Sequence, residues 1–238
     1  MAADRKISTI TDNRIRNVGS RDKIVVFKAS RMAISYWGLA TLSGRQMREH
    51  LITVRSQILE AKQTLDVDTF SNRLRDYLQQ YIPGRNMGFH VAGYVDGQPR
   101  IRHVFHADWH PSNGFTSEES NRAFHDGQGR RIPHTQNGDY VPYISLFNGD
   151  NAIVQSLLLS IPAFRGLNYV LDYEALSLEK AIRLAQLLIS TTIYFQKFLR
   201  GCTQIGRTCG NGLDVVRITP SKIEWVCRNL KTVNFDVR

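Results

Sequence analysis

The chain has 238 residues, 42% of them hydrophobic and 22% charged, with a formal net charge of +10. That length and apolar share exclude a disordered tail and bound the chain to one generous domain or two small ones. The positive charge favours anionic partners, but the basic residues are dispersed. The densest cluster is "GRRIP" at 129–133, so a solvated basic surface is read ahead of a nucleic-acid interface.

The first segment, "MAADRKIST", reads as the end of a strand with almost nothing before it. Residues 23–27 and 32–37 are short apolar or β-branched runs around a turn at 28–31, the pattern of a hairpin. A helix follows in "GRQMREHLITVRSQILEAKQ", where Met47, Leu51, Val54 and Ile58 recur at helical spacing. A second helix starts near Asp66 or Asp68, either of which suits a cap. Its stripe is Phe70, Leu74, Tyr77 or Leu78, and Tyr81, and Pro83-Gly84 stops it.

Residues 87–95 and 100–109 read as two strands joined by "DGQP", with Asp-Gly as the hairpin signal. Residues 110–149 are rich in Gly, Asn, His and Pro and too long for an ordinary connection, so an elaborated loop with partial structure is expected. A helix is expected at 150–160. The longest helix is expected at 177–200, capped by Ser177, with a stripe of Ala181, Leu184, Leu188, Thr191, Phe195 and Phe198. Leu187, Ile189, Ile193 and Tyr194 lie off that stripe, so burial on more than one side is expected there. "GLDVVRI" and "KIEWVCR" form a closing hairpin about Thr219, Pro220 and Ser221. Antiparallel strand pairs alternating with helix groups define an α+β layered fold rather than a parallel doubly wound one. No linker or repeat divides the chain, so residues 1–238 are read as a single domain.

Three cysteines, Cys202, Cys209 and Cys227, without close pairs fit a reducing compartment. No leader pattern is visible, and "IVQSLLLSIPAF" is too short to span a bilayer and carries Pro162. A cytoplasmic protein with no membrane partner is expected. His103, His106 and His110, with Asp108 between them, are residue types that zinc sites use. In an extended strand, however, His103 and His106 point to opposite faces, so no metal site is assigned.

The order of elements, with several short segments, resembles the proteasome β-subunit branch of the N-terminal nucleophile (Ntn) hydrolases. The segments are "AADRKIST", "RDKIVVF", "ISYWGLATLSGRQMREHL", "GFHVAGYVDGQPRIRHVF", "SLEKAIRLAQLLISTT" and "CGNGLDVVRI". The resemblance implies a four-layer αββα sandwich, two antiparallel sheets between helix layers. It implies a threonine-type peptidase without cofactor, assembled with like subunits in a homo-oligomer or ring and acting on peptide or protein substrates.

In that family a threonine at the mature N-terminus supplies both hydroxyl and α-amine. A lysine ammonium held by an aspartate tunes them, and a backbone N–H at a glycine turn takes the oxyanion. By position Asp4 matches the acidic residue, Lys23 the lysine and Gly38 the oxyanion glycine. "GRTCGNG" puts Gly206 near the family's second Asp and Cys209 near its Ser, both departures from the pattern. The strand that should carry the threonine is missing before Asp4. The expectation is therefore a hydrolase whose nucleophile lies upstream of the chain as given. The alternative is an inactive relative serving as an assembly or anionic-partner binding module.

Overall fold

The computed structural model describes residues 1–4, 6–11, 14–81, 87–106, 114–119, 124–125, 131–132, 176–198, 209–210 and 212–230. The chain divides into two compact units. One comprises Met1–Lys23, Phe147–Arg217 and Trp225–Arg238; the other comprises Ile24–Leu146 and Ile218–Glu224.

In the first unit the strands β1 (Ala2–Asp4), β2 (Lys6–Thr11) and β3 (Arg14–Ser20) follow one another. β2 and β3 form an antiparallel hairpin with a register shift between Ile7 and Ser8. This hairpin was absent from the sequence reading, because its stretch lacks the apolar run that marks a core strand.

Most of the second unit is one continuous stretch. β4 (Ile24–Phe27) and β5 (Met32–Trp37) form the expected hairpin, joined through a short 3-10 turn at Lys28–Ser30. A two-residue pair, β6 (Thr41–Leu42) and β7 (Arg45–Gln46), leads into helix α1 (Met47–Glu60). The expected stripe of α1 is buried, and His50 joins it. Helix α2 (Val67–Gln79) starts at Asp66, whose carboxylate accepts the Thr69 N–H at 2.8 Å. Of its expected stripe, Phe70, Leu74, Tyr77 and Leu78 are buried. Tyr81 is exposed, because it falls past the helix end.

The next hairpin joins β8 (Met87–Val95) to β9 (Gln98–His106). Asp96 and Gly97 both have positive φ, at 50° and 77°, the left-handed geometry of a tight type I′ turn. β9 therefore begins two residues before the expected Arg100, and residues 107–109 lie outside the described residues. Of the expected loop at 110–149, the described pieces are β10 (Thr116–Glu119), β11 (Phe124–His125) and β12 (Arg131–Ile132).

The five-stranded antiparallel sheet runs β10-β9-β8-β5-β4. Its pleat sends Met32, Ile34, Phe89, Val91 and Val104 into one core with Leu51, Val54, Ile58, Phe70 and Leu74 of the two helices. α2 packs on α1, β8, β9 and β10. Sealing these side chains from water stabilises by about 1.5–3 kcal/mol apiece, which makes this sheet-and-helix layer the strongest packing described.

In the first unit, helix α3 (Leu178–Phe198) packs against β1. The Ser177 hydroxyl caps it by accepting the Lys180 N–H at 3.3 Å. The closing hairpin of β13 (Leu213–Ile218) and β14 (Ile223–Leu230) completes a three-stranded antiparallel sheet in the order β1-β13-β14. On α3 the buried face differs from expectation. Leu188 and Ile193 are buried as expected, but Phe195 and Leu187 are exposed, at 43% and 47%, and Ser190, Thr192 and Gln196 are buried instead. The helix expected at 150–160 lies outside the described residues. The protein is thus mixed α+β, with antiparallel sheets and, among the described residues, three helices. No helix among the described residues is long and apolar enough to cross a membrane.

Candidate functional site

β1 is only three residues long, but its register is fixed. Ala2, Ala3 and Asp4 pair with Val215, Asp214 and Leu213. The Met1 amine donates to the Val216 carbonyl at 2.9 Å, and burial lowers its pKa from 8.0 to about 6. Asp4 stands at the end of this strand. Lys23 precedes β4, and its Nζ lies 2.9 Å from Asp4 Oδ1; the two side chains are 16% and 13% exposed. The second carboxylate oxygen of Asp4 accepts two backbone N–H groups, from Lys6 at 3.0 Å and Gly210 at 3.1 Å.

Both oxygens of Asp4 are therefore engaged, one by an ammonium and one by the main chain. Such a carboxylate is fixed in rotamer, and it holds the ammonium at a defined place. A Cβ at Gly210 would stand in ordinary van der Waals contact with the Lys6 side chain, 3.4 Å from its Cδ.

Cys209 adjoins this constellation. Its N–H donates to Gln196 Oε1 on α3 at 2.9 Å, and its half-buried thiol is not in a disulfide. Gln196 thus tethers the segment that delivers the Gly210 N–H to Asp4. Sequence reasoning missed both Gln196 and the Gly210 amide. A glutamine beside Phe195 carries no periodic signal that marks it as buried, and a backbone donor carries none at all.

Of the residues named from the sequence, Asp4 and Lys23 are brought together, and Cys209 sits one residue from an Asp4 ligand. Gly38 follows β5 in the second unit, with a φ of 86° that favours glycine. Gly206 and His110 lie outside the described residues.

Among the described residues the histidines do not gather as a metal centre. His103 pairs across the sheet with His90, their rings 4.9 Å apart, and stacks on Phe105 at 4.2 Å. Desolvation, followed by the neighbouring imidazole of His103, lowers the His90 pKa to about 3, and desolvation lowers that of His103 to about 4. Both rings are neutral at physiological pH. His106 is buried and sits 5.7 Å from Phe115. Among the described residues no three His, Cys, Asp or Glu side chains are grouped to hold a metal ion.

The other buried polar network belongs to the second unit. His50 is fully enclosed, with Nε2 2.9 Å from the Leu42 carbonyl and Nδ1 2.8 Å from the Tyr77 hydroxyl. Because a carbonyl only accepts, Nε2 carries the proton and Nδ1 accepts from Tyr77. Tyr77 in turn accepts from the Tyr81 hydroxyl at 3.3 Å. Burial, with that bond next, pushes the Tyr77 phenol up to about 12, so it remains a donor. The network ties the β6–β7 turn to both helices.

No family model matches the chain, and no curated protein matches it.

Proposed function

We propose that the chain is a proteasome-like Ntn-hydrolase relative, a four-layer αββα sandwich. In this reading Asp4 and Lys23 are the electrostatic support of a threonine-type peptidase site. The observation that carries the reading is the Lys23–Asp4 contact at 2.9 Å, with the other Asp4 oxygen taken by two main-chain N–H groups. An ammonium fixed this way favours the neutral form of a neighbouring α-amine and the anionic form of a neighbouring hydroxyl. In the reaction, the hydroxyl of an N-terminal threonine attacks the peptide carbonyl and its proton passes to the free amine. The peptide C–N bond breaks as the α-ammonium returns that proton to the departing amine, leaving an acyl-enzyme ester. Water hydrolyses the ester, its proton taken by the α-amine and passed to the threonine hydroxyl. By the resemblance the oxyanion role falls to a backbone N–H at a glycine turn, and Gly38 is the residue at that sequence position. Like subunits in a ring would enclose the site.

The residues before Asp4 are Met1, Ala2 and Ala3, none of which bears a hydroxyl or thiol. In this reading the nucleophile is not one of these three residues. The test has two arms. The 238-residue chain is expected to release no fluorophore from a panel of fluorogenic peptides. A protein extended by the in-frame upstream segment is expected to begin, once mature, with Thr, Ser or Cys and to cleave them, and the Lys23→Ala and Asp4→Asn variants are expected to lose that turnover. Turnover that survives Lys23→Ala overturns the assignment.

The second reading, an inactive relative serving assembly or an anionic partner, is favoured by Cys209 standing where the family has Ser and by the net charge of +10. A stop codon directly upstream of Met1 would select it.

A further inference from the structure

One buried side chain of the first unit has its polar end committed outside its own helix. Gln196 is 5% exposed and shares the buried face of α3 with Leu188, Thr192 and Ile193. A carboxamide in that company costs stability unless it is bonded, so an apolar residue would serve packing better. Thr192 closes its hydroxyl on the Leu188 carbonyl of the same helix, at 3.0 Å. Gln196 instead extends Oε1 to the Cys209 N–H, at 2.9 Å and 13 residues along the chain.

The residue after Cys209 gives that bond a consequence. The Gly210 N–H donates to Asp4 Oδ2 at 3.1 Å, and Asp4 Oδ1 holds Lys23 Nζ at 2.9 Å. The amide nitrogens of Cys209 and Gly210 are joined through a single Cα, so a shift of one moves the other. We propose that Gln196 is a positioning residue for Lys23. It sets the Cys209–Gly210 segment, that segment sets the rotamer of Asp4, and Asp4 sets the place of the ammonium. All four segments belong to the first unit.

A carboxamide suits this task. Its oxygen accepts, and it brings no second negative charge toward Asp4, as a carboxylate would. The other main-chain donor to Asp4, the Lys6 N–H at 3.0 Å, stands two residues away on the same stretch of chain. It fixes Asp4 only against its own neighbours, so the link from Asp4 to α3 runs through Gly210. That Lys23 acts at a peptidase site rests on the reading above. That Gln196 places Lys23 does not, and the experiment reads the placement alone.

The experiment uses the intact 238-residue protein, labelled with 15N, and follows the Gly210 amide by NMR. Asp4→Asn gives the direction in which that signal moves when the carboxylate is lost. Lys23 is read by mass spectrometry, as its rate of acylation by limiting acetic anhydride relative to the exposed Lys62. Gln196→Met keeps the length of the side chain and removes the acceptor. It is expected to move the Gly210 signal in the direction of Asp4→Asn and to speed exchange of that amide by about tenfold or more. Lys23 acylation is expected to rise by about threefold or more. Thr192→Val, one turn earlier on the same buried face, is expected to move none of these. A Gln196→Met protein with a lower melting temperature but unmoved Gly210 signal and Lys23 acylation overturns the proposal, because lost packing alone gives that result. So does a Thr192→Val protein that shifts both as far as Gln196→Met does. The unaltered protein supplies a measurement that needs no variant to fold. Its Cys209 and Gly210 amides are expected to exchange as one opening unit, with protection within about tenfold of each other, and a wider gap overturns the proposal.

Discussion

Asp4 accepts the backbone N–H of Gly210 across 206 residues of chain, at 3.1 Å. The same carboxylate holds Lys23, so three distant segments converge on one side chain. Removing it leaves an ammonium and two amide groups without their acceptor, whereas removing Lys23 leaves the two amide bonds in place. Asp4→Ala is therefore expected to cost about 2–4 kcal/mol and Lys23→Ala less. Urea unfolding of both single variants and the double variant is expected to give a coupling of about 1–3 kcal/mol. A coupling near zero would show that the pair is incidental.

Acid is expected to destabilise the second unit. His90 and His103 have folded pKa values of about 3 and about 4, below the ordinary 6.5. Between those limits the unfolded chain binds protons that the native state refuses. The contribution of the pair is complete above about pH 6.5 and is lost as pH falls toward 4, by at most about 1.4 kcal/mol per unit for each ring. The urea midpoint is expected to fall steadily from pH 7 to pH 5, and a His90→Gln/His103→Asn variant to show a shallower fall. Equal slopes in the two proteins would remove the histidines as the cause.

His50→Ala is expected to cost about 3–4 kcal/mol, combining a cavity with the loss of partners for the Leu42 carbonyl and the Tyr77 hydroxyl. Tyr77→Phe removes one hydrogen bond and leaves His50 Nδ1 unmet, for about 1–2 kcal/mol. Chemical denaturation ranks the two, and the reverse order would show that the cavity left by His50 and the loss of the Leu42 carbonyl's partner are not the larger cost.

Gly88→Ala tests packing on the sheet. A Cβ there would lie 2.7 Å from Trp37 Nε1 and 2.9 Å from Phe105 Cβ. Both neighbours sit on strands paired with β8, so neither can retreat freely. A loss of about 1–3 kcal/mol is expected, read as a lower thermal midpoint. An unchanged midpoint would show that the sheet yields at this point.

The helices and the β8–β9 hairpin were legible because local periodicity and turn chemistry decide them. Met47, Leu51, Val54 and Ile58 are buried as their spacing implies, and Asp96-Gly97 makes the expected reversal. Asp4 and Lys23 meet as the resemblance implied, although nothing in their own neighbourhoods requires it. What escaped is what long-range contacts decide. Phe195 turns outward while Gln196 turns inward, because the carboxamide has a distant amide to receive. The β2–β3 hairpin escaped for the opposite reason, since main-chain pairing defines it and no core stripe announces it.

The pairing of β1 with β13 also sets an order of events at the ribosome. Strands β4 to β9 and helices α1 and α2 form a continuous run, and a nascent chain can begin to pack them as soon as they emerge. Residues 2–4 have no such freedom, since their partners at 213–215 are made about 210 residues later. At about 5–20 residues per second, the opening segment waits about 10–40 s for them. During that interval the edge of β1 is unpaired and Lys23 lacks the fully anchored carboxylate it will later hold. Residues 2–4 are thus folded long after they are made, and truncations near residue 213 are expected to release β1 together with β13 and β14.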